Sequence, residues 1–172
     1  AAAKRAYDKQ DWITFARCHD DDGQTTHAAL VVMVAFLKLS LIADEDEQKE
    51  KLAAIEAICK QHEMKPLLTF IGQLGMFGKV DFNNLTKEQR DKIVKYLRAV
   101  KNKPAFIAEM HAELEKDSGG ARTITLPLIE ARLVRIDVDG DQAQALMQGK
   151  SDDEATNVQF RKIDGRWIIS AK

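Results

Sequence analysis

The side chains able to do chemistry are few, and their spacing decides what each could do. Cys18-His19 followed by Asp20 and Asp22 is the densest group of potential metal ligands in the chain. Adjacent residues of a helix point apart, and no second Cys/His pair follows at the spacing of a tetrahedral zinc site, so the group predicts no metal centre. Asp137, Asp139 and Asp141 alternate like the opening of a calcium loop, but the glycine falls at the fourth place instead of the sixth, and the twelfth position is Gln148. A hairpin accounts for them better. His62 and His111 lie near the apolar stripes of their helices, where an imidazole is more often a satisfied boundary residue than an acid–base group. The chain carries no nucleophile elbow, phosphate-cradling glycine loop or paired zinc motif, and no cofactor is implied. Enzymes of many folds do chemistry without a linear motif, so catalysis stays open.

Length and charge narrow the partners. The chain has 172 residues, with 26 Lys plus Arg against 27 Asp plus Glu, interspersed rather than blocked. That length suits a single domain spanning 1–172. The charge balance provides no basic field of the kind nucleic acid demands. The apolar run from Ala28 to Leu37 stops at Lys38, short of the ~20 residues needed to span a bilayer, and reads as a buried helix. Cys18 and Cys59 permit one disulfide, worth roughly 4 kcal/mol on chain-entropy grounds; alternatively Cys59 is a small buried hydrophobe on the stripe Leu52, Ile55, Cys59. Ala1-Ala2-Ala3 is either an appended remnant or what stands beside a small-residue cleavage site.

The elements that must hold these residues fall into two halves. The sequence predicts about six helices over 1–118. They are a helix from Ala2 to about His19, kinked at Gln10-Asp11; Ala28 to Ala43 after a break at Asp20-Asp21-Asp22-Gly23, with Thr25 or Thr26 as N-cap; and Asp44 to about Glu63. A glycine-loosened segment, Leu67 to Phe77, comes next. The last two are one opened by a Thr86/Gln89 capping box and one begun by Asn102 and Pro104, ending near Asp117-Ser118. Residues 121–172 read as an antiparallel meander of four strands, with Thr123 to Leu128 a possible fifth at an edge. Asp139-Gly140 and Asp164-Gly165 mark two-residue turns. They predict Val138 opposite Asp141, Ile136 opposite Ala143 and Lys162 opposite Trp167, with Met147 meeting Val158 beside Ala145 and Phe160. A change of alternation places a bulge near Leu133, which curves the sheet. Helices first and strands last give an α+β class, with the helical layer on one face of the sheet.

Two stretches resemble a known family. Ala6-Tyr7-Asp8-Lys9-Gln10-Asp11-Trp12 to Cys18 resembles the first helix of bacterial domains in the nuclear-transport-factor-two-like superfamily, which has a cystatin-like α+β fold. Phe160-Arg161-Lys162-Ile163-Asp164-Gly165-Arg166-Trp167-Ile168-Ile169 is similar to the final hairpin of its uncharacterised exported or lipid-anchored members. The resemblance implies a curved sheet wrapped round helices with a pocket in the open end, in which Tyr7, Asp11 and His19 would form an acid–base set if the protein were an enzyme. It also implies an extracytoplasmic location, periplasmic or lipid-anchored, with a cytoplasmic one still open. Two functional expectations follow. One is a non-catalytic domain binding an unidentified partner protein or a small apolar ligand through an apolar pocket or sheet face, with Met147, Phe160, Trp167, Phe70 and Phe77 as contacts. The other is a small-molecule isomerase or dehydratase-like enzyme with its pocket between sheet and helices.

Overall fold

The computed structural model describes residues 2–73, 86–116, 131–149 and 155–170. Among them seven helices precede a four-stranded antiparallel sheet of order β1-β2-β3-β4, so the chain is α+β. The helices are α1 (Ala2–Asp8), α2 (Trp12–Ala16), α3 (Asp21–Leu41), α4 (Glu45–Gln61), α5 (Lys65–Gln73), α6 (Lys87–Arg98) and α7 (Lys103–Glu115). The strands are β1 (Arg132–Asp139), β2 (Gln142–Gln148), β3 (Ala155–Ile163) and β4 (Arg166–Ser170). The expected strand Thr123 to Leu128, the helix end at Asp117-Ser118 and Phe77 lie outside the described residues. The chain forms two compact units, Ala1–Gln24 with Thr125–Lys172, and Thr25–Ile124.

In the first unit the kink expected at Gln10-Asp11 is a full break. Gln10 takes a left-handed φ of 56°. Its N–H donates to Tyr7 O and that of Asp11 to Ala6 O, the double bond that closes a helix C-terminus. Asp11 then caps α2 by accepting from the Thr14 N–H at 3.0 Å. Tyr7, Trp12 and Phe15 pack edge-on or tilted, with ring centroids 5.5 to 6.1 Å apart, and all three are buried.

Beyond α2 the chain runs alongside the last strand. Ile169 N–H donates to Cys18 O at 2.7 Å and Asp20 N–H to Ile169 O at 2.8 Å, a parallel bridge centred on His19. Asp20 also starts α3, since its carboxylate accepts from the Gly23 N–H at 2.8 Å. The predicted break at Asp20 to Gly23 is therefore the first turn of the helix, and Thr25 lies inside it rather than capping it. Asp21 and Asp22 favour that turn through the helix dipole. A side chain at Gly23 would sit 3.0 Å from His19 Cβ, which accounts for the glycine.

The second hairpin is as the sequence requires: Asp164 and Gly165 have φ of 49° and 76°, Ile163 faces Arg166, and Lys162 faces Trp167. The first closes one residue later than expected, on Asp139 and Gln142 around Gly140-Asp141, with positive φ at Gly140 alone (56°). This is the type II′ pattern, which asks for glycine first and spares the aspartate a left-handed conformation. Consequently Ile136 faces Ala145 and Val138 faces Ala143, each partner displaced by two residues from the prediction. Between β2 and β3, Ala145 meets Val158 and Ala143 meets Phe160, again displaced by two. A shift of two preserves the face of every side chain. The predicted bulge appears between Leu133 and Arg135.

The second unit is helical, and α4 contacts both α7 and α5, with α5 also contacting α6. Asp44 caps α4 by accepting from Asp46 and Glu47 N–H. Past its end at Gln61 the helix is closed by a left-handed Glu63 (φ 60°), and Met64 N–H reaches Cys59 O at 2.8 Å. The Thr86/Gln89 capping box and the Asn102 cap form as predicted. Phe36, Leu67, Ile71, Leu97, Phe106, Ile107 and Met110 are fully buried. Helix α3 is, among the described residues, long and apolar enough to cross a membrane by length and composition, and 44% of that stretch is buried.

Candidate functional site

Helices α3, α4 and α7 enclose a groove of about 230 Å³ in the second unit. Ala35, Leu39, Leu41, Ile42, Ile55 and Leu114 supply its apolar lining, and Lys38, Glu47, Lys51 and Glu113 its charges. Two bonds fix its geometry. Lys38 Nζ donates to Leu114 O at 2.9 Å, holding the side of α3 to the end of α7, and Gln48 Nε2 donates to Leu39 O at 2.9 Å, tying α4 to α3. Leu41 stands at the mouth with 76% of its surface exposed. The volume falls below the ~300 Å³ at which drug-sized sites begin, so the groove suits something slender.

A second feature of this unit is a pair of buried imidazoles. His27 Nε2 and His111 Nε2 lie 2.9 Å apart, with their rings at 69°. One nitrogen must donate and the other accept, so the accepting ring carries its hydrogen on Nδ1 and the two rings cannot both be protonated. Burial, then the neighbouring His27, pushes His111 down to about 3. His111 Nδ1 also faces Glu115 Oε1 at 3.9 Å. His111 has no exposed surface and His27 only 6%, so the pair fastens α3 to α7 instead of meeting a substrate. His111 is thus a core residue, not the boundary residue its position on the stripe predicted. Its partner was missed, although His27, Val31, Ala35 and Leu39 recur every four residues on the buried side of α3. His62 does lie at the boundary, with Nε2 3.2 Å from Glu109 Oε2.

The candidate acid–base set has individual structural duties. Tyr7 is buried in the aromatic cluster. Asp11 caps α2, and the hydrogen bonds from Thr14 hold its carboxyl below the usual range. His19 Nδ1 lies 3.0 Å from Phe15 O, its ring rests 4.8 Å from that of Phe15, and burial lowers its affinity for a proton. Among the described residues no cluster of three or more His, Cys, Asp or Glu could hold a metal. Cys18 and Cys59 are free thiols, each made harder to ionise by burial, Cys59 to about 12.

Of the proposed ligand contacts, Met147 and Phe160 are half-buried on the sheet and Trp167 is 42% exposed. Phe70 is buried, 6.0 Å from the Tyr96 ring and beneath Lys92 Nζ at 5.5 Å. None of these residues lines the groove. No protein-family model, curated protein or solved structure matches the chain. The class that its own coordinates define is an α+β protein with N-terminal helices and a C-terminal antiparallel meander.

Proposed function

We propose that the protein is a binding module that takes a slender apolar group, such as the alkyl tail of an amphiphile, into the groove between α3, α4 and α7. The observation that carries this reading is an apolar lining held open to water, with Leu41 exposed at its mouth although the neighbouring Ala35 and Leu39 are buried. Apolar surface left in that state gains on being covered, by about 25 cal/mol per Å². Lys38 and Lys51 in the lining are matched by Glu47 and Glu113, so the apolar surface and not charge carries the reading.

Calorimetric titration with decanoate tests the proposal. Saturable binding is expected, weakened about tenfold or more by Leu41→Asp, a change at an exposed position that leaves the helical circular dichroism intact. Absence of saturation, or equal binding by L41D, removes the proposal.

A further inference from the structure

Among the described residues the two edges of the sheet are finished differently. Along β4 the segment Cys18-His19-Asp20 supplies backbone partners and Ser170 Oγ donates to the Asp20 carboxylate at 2.8 Å. Along β1 no described strand pairs on the outer side, and all eight residues are exposed. Such an edge is a template for another strand. We propose that β1 pairs antiparallel with β1 of a second copy about a two-fold axis at Ile136, joining two four-stranded sheets into one.

Register and charge together select this arrangement. A two-residue turn closes on a pair that exchanges both hydrogen bonds, and here that pair is Asp139 and Gln142. Asp139, Asp137 and Arg135 therefore direct their peptide groups at β2, while Val138 and Ile136 direct theirs outward. Two such strands can pair around their middle by setting Ile136 opposite Val134, Val138 or itself. The first register brings Arg135 against Arg135 and the second Asp137 against Asp137, like charges directly opposed, which destabilises a sheet. The third sets Arg135 against Asp137 twice and Val134 against Val138 twice.

Val134-Arg135-Ile136-Asp137-Val138 is thus its own complement, apolar against apolar on one face and basic against acidic on the other, as a two-fold interface demands. Within one chain Arg135 Nε already lies 2.9 Å from Asp137 Oδ2, so pairing gathers two guanidinium and two carboxylate groups into one cluster. The bulge between Leu133 and Arg135 falls at Val134 in each copy, so the ladder ends at its two outermost Val134–Val138 pairs, which keeps the contact short. Val134, Ile136 and Val138, now 52, 50 and 60% exposed, supply its apolar side.

Sedimentation equilibrium of the full chain is expected to show a weak, concentration-dependent dimer, as suits a contact at the small end of the range. Arg135→Asp and Asp137→Arg, each alone, turn two attractions into two repulsions and should raise the dissociation constant by about tenfold or more. The double variant R135D/D137R exchanges the charges and restores the dimer, with circular dichroism unchanged throughout. A chain that stays monomeric up to millimolar concentration, single variants that dimerise like the parent, or a double variant that stays dissociated would each overturn the proposal.

Discussion

The helical unit buries whole aromatic and aliphatic side chains, Phe36, Phe106, Ile107 and Met110 among them, whereas the sheet buries only Ala143, Ala145 and Val158. Fully covering a large apolar side chain contributes about 1.5 to 3 kcal/mol, and an alanine methyl far less. In the sheet, then, side-chain burial is a weak guide to register, and the turns take over that duty. The two hairpins bear this out. Where glycine and aspartate both accept positive φ, at Asp164-Gly165, the register is the one the residues spell out. Where glycine alone does, at Gly140, the ladder settles two residues away without exposing a different face.

The sharpest way to break this contrast is truncation on each side. Phe106→Ala should cost about 3 to 5 kcal/mol in urea unfolding. Ile136→Ala on β1 should cost under ~1 kcal/mol in dilute protein, because its side chain is half exposed already. Equal losses would mean that the sheet edge is as integral as the helical core.

Acid should find the helical unit through its imidazole pair. The folded value for His111, about 3, lies below the ordinary 6.5, so between these limits the unfolded chain takes up a proton that the folded chain refuses. Stability is therefore retained above pH ~6.5 and lost as pH falls toward ~3, by roughly 1.4 kcal/mol per pH unit at most. Thermal melts of H27L/H111L between those limits should show a flatter dependence; a slope identical to that of the parent chain would place the sensitivity elsewhere. A more modest effect than that of Phe106 belongs to the turns. Gly165→Ala, at a φ of 76°, should cost about 1 to 2 kcal/mol by chemical denaturation, since a side chain there meets the backbone although nothing else stands within 4 Å. A neutral result would show that the turn relaxes into another type.

Much of this architecture was legible because it rests on local chemistry. The Asp11, Thr86 and Asn102 caps, the bulge at Leu133 and the second hairpin each follow from a few neighbouring residues. What escaped depends on contacts between distant positions. Asp20 starts α3 while its backbone is held by Ile169, so no local rule distinguishes it from the loop its composition suggests. His27 and His111 stand 84 residues apart, and a single imidazole on a stripe does not announce a partner. The groove combines side chains from three helices whose crossing no periodicity supplies. Tyr7, Asp11 and His19, close in sequence, are kept to separate tasks by the break at Gln10.

The bridge between His19 and Ile169 also sets an order of events during synthesis. A strand partner that emerges from the ribosome long before Ile169 must wait for that residue before its hydrogen bonds can close. The helical unit, whose contacts are complete by Ile124, faces no such delay. On a translating ribosome its helices can assemble while α1, α2 and the unfinished sheet are still waiting for one another.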